Sequence, residues 1–146
     1  MQFDNVKNLR PKSKGSIKVE GSLSGETWMG EFEFWTVLTH RQQLDRDRIQ
    51  RDFLGSNLEA LTGPGGERIK NQSRALADMQ VRIFKAPTWW LASNMGLDLV
   101  DDEVITAIYD MIIKAENDYY LEREKKVAAA KGELQTLAPP DDSPRG

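Results

Sequence analysis

The stretch APTWWLASNMGLDLVDDE, residues 86–103, sets how the predicted helices meet. Pro87 pushes Ala86 out of helical geometry, so a helix that arrives from the N-terminal side must end there. The same proline can occupy the first turn of a new short helix, which would carry Trp89 and Trp90. We therefore predict a joint between helices at this point of the chain.

The two tryptophans of this joint have two interpretations. Adjacent helical residues point about 100° apart, so Trp89 and Trp90 would rarely stack together on one ligand such as a base or a sugar. We expect them to be core anchors instead, with one ring on the helix that precedes the joint and the other on the helix that follows it.

Three consecutive carboxylates, Asp101, Asp102 and Glu103, end the stretch. Free amide groups and the helix dipole favour negative charge at a helix N-terminus, so we predict that these residues cap the next helix. The alternatives are a hard-metal site that also includes Asp98, although EF-hand spacing is absent, and a pair of acid–base carboxylates.

The longest predicted helix begins after these carboxylates, because apolar residues recur there at steps of three and four. These residues are Val104, Ile105, Ile108, Met111, Ile112, Ala115 and Tyr119. Beyond Tyr120 the stripe fades into polar, helix-forming sequence. We expect this helix to project into solvent and to end near Gly132.

Residues 67–85 predict the helix that Pro87 ends. Its predicted buried positions are Ile69, Leu76, Met79, Ile83 and Phe84, and its predicted exposed positions are Arg68, Lys70, Arg74 and Arg82.

Another helix should begin at His40, because Thr39 and Gln42 form a capping box. Gly55 should end it in a left-handed conformation. Its predicted apolar stripe is Leu44, Ile49, Phe53 and Leu54. Residues 57–61 predict a short helical piece. The glycine-rich residues 62–66 predict a flexible loop, since the Lys-Ser or Lys-Thr of a phosphate-binding loop does not follow them.

Two alternating runs around Ser24-Gly25-Glu26-Thr27 predict an N-terminal β-hairpin. The first run holds Ile17, Val19 and Leu23. The second has Trp28, Phe32, Phe34 and Leu38 on one face and Met29, Glu31, Glu33, Trp35 and Val37 on the other. Gly21 and Gly30 lie within the runs and indicate either a bulge or a close backbone approach.

Trp35 and Val37 place apolar groups on the second face of the hairpin. Either helices of the same chain cover both faces at that end, or part of the hairpin waits for another chain. We favour burial within the chain.

The 146 residues are enough for one domain with a modest core. The sequence contains no cysteine, which excludes disulfides and thiolate metal sites. We predict a flexible arm at residues 1–14, a single domain at 15–133 and a disordered tail at 134–146. The N-terminus is too polar for a signal peptide, and no apolar run approaches the roughly 18 residues of a membrane span. We expect a soluble, intracellular α+β protein, mostly α, in which an N-terminal β-hairpin is followed by a small helical bundle with a long C-terminal helix.

The formal net charge of -3 gives no bulk positive field, so we expect no nucleic-acid partner. Four arginines cluster in residues 41–51, but aspartates are interleaved with them. This pattern favours a solvated helix face over a phosphate-binding stripe.

Candidate chemistry is sparse in this sequence. We expect the single His40 to be exposed at the first turn of its helix rather than to act as a catalytic base. Acid–base work needs two carboxylates that converge on a cleft, which neither Glu31 with Glu33 nor Asp45 with Asp47 indicates. The sequence therefore predicts no catalytic residue, no cofactor and no metal site.

Two segments carry a family resemblance. GSLSGETWMGEFEFWTVLTHRQQLDRDRIQRDFLG, residues 21–55, resembles the opening of tail assembly proteins and tail assembly chaperones of long-tailed bacteriophages, with a Gly-x-x-Trp-x-Gly-x-Phe strand and a polar helix ending in Leu-Gly. APTWWLASNMGLDLVDDEVITAIYD, residues 86–110, is similar to a segment of the same class, with Pro-x-Trp-Trp followed by Gly-x-x-Leu-x-Asp and a helix. The resemblance covers about residues 15–125.

This resemblance implies a non-enzymatic chaperone that binds the tape-measure protein or tail-tube subunits in the host cytoplasm, with a homo-oligomer as an option. A structural virion component, such as a tail-completion or neck protein, is the alternative. The surfaces that we expect to bind partners are the hairpin face around Trp28, Phe32 and Trp35, and the projecting helix around Tyr119, Tyr120 and Arg123.

Overall fold

The computed structural model of the protein describes residues 10–55 and 62–137, with side chains up to residue 132. It is 59% helical and 18% strand, which confirms the predicted mostly helical α+β class. The elements are β1 (Lys12–Glu20), β2 (Thr27–Trp35), α1 (His40–Leu54), α2 (Gly66–Arg82), β3 (Ile83–Lys85), α3 (Thr88–Ala92) and α4 (Asp102–Leu137). The predicted N-terminal hairpin and long C-terminal helix are both present.

The hairpin pairs β1 and β2 in one continuous antiparallel register, in which Ile17 lies opposite Gly30 and Gly15 opposite Phe32. Because side chains alternate along a strand, one face of the hairpin turns toward the helices and the other toward solvent. The solvent face carries paired charges, with Lys14 Nζ 3.1 Å from Glu31 Oε1.

The sheet has a third strand at residues for which a helix is predicted. β3 pairs antiparallel with the free edge of β2, giving the order β1-β2-β3. The predicted helix 67–85 therefore stops at Arg82, and Ile83 has extended backbone angles. Helical periodicity extends into these residues, but Pro87 prevents continuation and the unpaired edge of β2 supplies hydrogen-bonding partners.

The core lies between the inner face of the sheet and the helices α2, α3 and α4. Its buried apolar residues are Ile17, Phe32, Phe34, Ala75, Met79, Trp90, Val104, Ile105, Ile108 and Ile112. Two helical positions predicted to be buried are not, since Ile69 is 43% exposed and Phe84 is 45% exposed. The predicted exposure of Arg82 is also wrong, because only 2% of this residue is exposed.

Two glycines of the hairpin allow close contact with other elements. A Cβ on Gly30 would overlap the ring of Pro87, and a Cβ on Gly21 would overlap the carboxylate of Asp101. The predicted close backbone approach is therefore confirmed at both positions. No register shift interrupts β1 and β2 near Gly30.

α1 begins as predicted, with Thr39 and Gln42 forming a reciprocal capping box. It ends at Gly55, whose φ of 61° and ψ of -154° are accessible to glycine but differ from the predicted left-handed helical conformation. α1 runs antiparallel to α2, since Gln42 donates to the Val81 carbonyl and Gln50 to the Lys70 carbonyl.

The predicted apolar stripe of α1 is only partly used. No residue of α1 is buried, and Leu44 is 70% exposed. Ile49, Phe53 and Leu54 are half-buried. The helix is therefore held on α2 by a shallow contact along one side.

The ends of the domain differ from the predicted boundaries. β1 begins at Lys12, inside the predicted arm of residues 1–14, and α4 passes Gly132 and ends at Leu137, inside the predicted tail. The rest of both segments, residues 1–9 and 138–146, and the predicted helical piece 57–61 lie outside the described residues.

Candidate partner-binding surfaces

The carboxylate of Asp101 holds the loop of the hairpin. It accepts hydrogen bonds from the Leu23 amide at 2.9 Å, the Ser24 amide at 3.1 Å and the Trp28 indole Nε1 at 3.1 Å. The Ser24 hydroxyl donates to it as well, and Asp101 is only 1% exposed. These four donors explain why a single carboxylate can be buried here without a cationic partner.

These donors also shift the titration of Asp101. The hydrogen bond from the Ser24 hydroxyl lowers its pKa most, burial opposes this, and the amides of Leu23 and Ser24 with the Trp28 indole lower it further, to about 2. The group is therefore ionised throughout the neutral range.

The other two acidic residues of this triplet bind three further residues, Ser22, Arg68 and Gln72. Glu103 accepts from the Ser22 amide at 3.1 Å, and Asp102 accepts from the Gln72 side chain at 3.0 Å. Negative charge does lie at the first turn of α4, as predicted. The hydrogen bonds of the three carboxylates nevertheless go to the hairpin loop and α2 instead of capping the amides of α4, which corrects the predicted role.

The tryptophan pair packs on the hairpin. Trp90 is 1% exposed and its ring meets Phe32 edge-on at 5.8 Å, which confirms its prediction as a core anchor. Trp89 is half-buried, lies 5.1 Å from the Trp28 ring and donates from Nε1 to the Met29 carbonyl. The ring contacts and the hydrogen bond of Trp89 are with the hairpin and with Trp90, whereas the sequence predicts packing on a neighbouring helix.

The three predicted hairpin residues do not form one surface. Trp28 and Phe32 point to the helices, and Phe32 is 0% exposed, so it cannot contact a partner in this fold. Trp35 lies on the opposite, outer face of β2. The alternation of a strand places residues 28 and 32 on one side and residue 35 on the other.

Trp35 is covered on the outer face by groups of the same chain. The Arg10 guanidinium lies 3.9 Å from its ring centroid, and the Phe84 ring lies 4.9 Å away. Intramolecular contact, the favoured interpretation, therefore half-buries Trp35. The exposed parts of Phe84 and Met29 extend the apolar area of this face.

The three predicted residues of α4 do lie together. Tyr119, Tyr120 and Arg123 line a groove of about 400 Å³, whose other wall is formed by residues 37–39 and the Arg10–Pro11 segment. The two tyrosine rings meet edge-on at 5.9 Å. This groove joins the exit of the hairpin to the point where α4 leaves the domain, and it combines one aromatic wall with cationic groups.

A second groove of about 540 Å³ lies between α2 and α4 and was not predicted. Ala75 and Tyr109 contribute to its lining, and Asp102 lies at its rim with its partners Arg68 and Gln72. This groove exists because of the distance between two helices, and no local sequence pattern predicts that distance.

A buried ionic network connects the end of the sheet to three helices. Arg82 donates from Nε to Asp78 at 2.7 Å and from Nη1 to the Thr36 carbonyl at 2.8 Å. The same Nη1 lies 2.9 Å from Glu116, and Arg46 lies 3.4 Å from Asp78. The i, i+4 spacing of Asp78 and Arg82 is the signal that could have revealed the pair.

The charge of Arg82 is maintained in this network. Burial by itself lowers its pKa, but the hydrogen bond and charge of Asp78, together with Glu116, raise the pKa above its ordinary value. The network serves to position the end of β2, and its groups are engaged with one another rather than aimed at a cleft.

Other chemistry is sparse in the described part of the chain. His40 is exposed, as expected. Residues 10–55 and 62–132, whose side chains the structure describes, contain no group of three or more His, Asp or Glu side chains arranged to hold a metal ion. None of the helices in these ranges has the length and apolar character needed to cross a membrane.

Comparison with known proteins gives no family assignment: no family model, no curated protein and no solved structure matches this chain.

Proposed function

We propose that this chain is a non-enzymatic tail assembly chaperone of a long-tailed bacteriophage, which binds the tape-measure protein or tail-tube subunits while the tail is built. The resemblance of residues 21–55 and 86–110 to that class supports the proposal. The same class would act in the host cytoplasm and need no cofactor.

The observation that carries the proposal is the groove between α4 and the hairpin exit. Tyr119, Tyr120 and Arg123 line it, and Tyr120 is 46% exposed. Aromatic side chains and arginine are the residue types that most often dominate the binding energy of protein interfaces. A tape-measure protein is a long helical chain, and one apolar stripe of such a helix fits a groove with an aromatic wall.

The proposed mechanism is temporary shielding. The groove covers part of the apolar stripe of the partner helix. Tail-tube subunits displace the chaperone when they polymerise around the tape-measure protein. Trp35 with Phe84 on the outer face of the sheet is a second contact area, whereas Trp28 and Phe32 act by supporting the fold.

Co-expression with the tape-measure protein encoded in the same genome tests the proposal. We expect the two proteins to co-purify and the soluble fraction of the tape-measure protein to rise. Arg123→Glu should weaken the complex about tenfold or more, because a reversed charge at an interface costs on the order of 1.4 kcal/mol.

Lys125→Glu is the matched control, since it makes the same charge change two residues away on a part of α4 that does not line the groove. This variant should bind like the unmodified chain. A tape-measure protein that neither co-purifies nor gains solubility would contradict the proposal, and equal losses in both variants would contradict the placement of the groove.

A further inference from the structure

The second half of α4 has no covering element among the described residues. From Tyr120 to Gly132 every residue is exposed, including the apolar Leu121 and Val127. The helix continues to Leu137, so this half, residues 120–137, extends about 27 Å at 1.5 Å per residue. Most of the stability of a helix in a protein comes from packing one of its faces against other elements, and this half has no such packing in the described chain.

This half of α4 carries a heptad pattern along one side. Tyr120 and Val127 occupy one set of core positions, and Arg123 and Ala130 occupy the other. Val127 is 50% exposed, and the stem of Arg123 can cover apolar surface while its charged end stays in water. The sequence places Leu134 and Leu137 at the next two positions of the same pattern. We call the line through these positions the seam.

The charges beside the seam select the partner and its direction. Glu124 and Lys131 lie on one side of it, and Lys126 lies on the other. In a parallel pair of identical helices, each Lys126 would face a Lys131 of the other copy, which is repulsive. In an antiparallel pair, each Glu124 faces a Lys131, giving two attractive pairs per dimer.

We propose that two copies of this chain associate through an antiparallel coiled coil formed by residues 120–137 of α4. Val127 of one copy lies opposite Ala130 of the other, and the two globular bodies lie at opposite ends of the coil. The charge pattern is self-complementary only in this direction, so the occupant of the seam is a second copy.

The first test of the dimer measures its mass in solution and how its dissociation constant responds to charge reversal. Sedimentation equilibrium of the full chain should show a species of twice 16.6 kDa that dissociates on dilution. Glu124→Lys should raise the dissociation constant about tenfold or more, because it places like charges opposite each other at both ends. Glu124→Lys combined with Lys131→Glu should restore the original dissociation constant.

Lys125→Glu is the control, because this position lies on the side of α4 away from the seam and should leave the dissociation constant unchanged. A chain that stays at 16.6 kDa at hundreds of micromolar would overturn the proposal. A dimer that is indifferent to Glu124→Lys would do the same, since it would use another surface.

Spin labels test the direction of the helices. The chain contains no cysteine, so the variant Asn117→Cys can be labelled once per copy, at an exposed position of α4. The antiparallel register places the two labelled backbone positions roughly 35 Å apart along the helix axis, and a parallel register places them about 10 Å apart. A distance near the shorter value contradicts the proposal. Both tests use this chain alone, so their outcome is independent of tape-measure binding.

Discussion

Asp101 is the residue at which the hairpin loop meets the start of α4. Its two oxygens accept from two backbone amides, a hydroxyl and an indole nitrogen, and Gly21 leaves the space that the carboxylate fills. An asparagine in this position could accept hydrogen bonds only at its side-chain oxygen, because its side-chain NH2 group is itself a donor and would face other donors. The site therefore requires an ionised carboxylate.

The stability of the protein should depend on pH through Asp101. Its folded-state pKa of about 2 lies below the ordinary 3.8, so its stabilising contribution is complete above pH 3.8 and is lost as the pH falls through 2. Urea unfolding measured between pH 6 and pH 2 should show the unmodified chain more stable than Asp101→Asn near neutral pH. The difference should shrink across the acidic window, and a constant difference would contradict the assignment.

The buried ion pair of Asp78 and Arg82 is a second feature at the residue scale, and we expect its loss to lower the free energy of unfolding strongly. Asp78→Ala leaves the buried guanidinium without its two-point partner, which should cost about 3–5 kcal/mol in the free energy of unfolding. Asp45→Ala is the control, because Asp45 meets Arg48 on the surface at 3.8 Å. The control should change the free energy by less than about 0.5 kcal/mol, and equal losses would argue against the network.

At the scale of elements, the contact between the hairpin and α3 depends on Gly30. Gly30→Val would drive a side chain into the ring of Pro87 and should destabilise the protein by about 1–3 kcal/mol in urea unfolding. Ser16→Val, on the exposed face of β1, adds the same side chain where there is space. That control should lie within about 0.5 kcal/mol of the unmodified chain, so similar losses in both variants would contradict a specific role for the contact with Pro87.

Elements with a local signal could be predicted from the sequence. The Thr39–Gln42 capping box locates the start of α1, alternation locates the hairpin, and three- and four-residue steps locate α4. β3 could not be predicted, because residues 83–85 continue a helical pattern and become a strand only through pairing with β2. The final state of such a segment depends on tertiary context.

The candidate partner-binding site could be predicted from the sequence only in part, for the same reason. Tyr119, Tyr120 and Arg123 are neighbours on one helix, so their grouping follows from sequence spacing. Their common groove with residues 37–39 depends on how α4 lies against the sheet. The role of Asp101 was missed because a carboxylate before a helix has a sufficient local explanation as a cap, and its actual donors lie more than 70 residues away in sequence.

At the scale of the whole molecule, the described chain divides into a packed body and a projecting helix. Within the body, the Asp101 junction and the Arg82 network each engage their polar groups with one another. The groove beside Tyr120 and the second half of α4 are two exposed surfaces of this molecule. The first is the proposed site for the tape-measure protein, and the second is the proposed site for another copy of the chain.

Mass spectrometry of two samples from one phage infection tests the chaperone proposal most directly. One sample is the tape-measure protein isolated from infected cells before tails are complete, and the other is purified mature particles. The account predicts peptides of this chain with the tape-measure protein and none in the particles. Stoichiometric amounts in mature particles would contradict it and would identify the chain as a structural virion component.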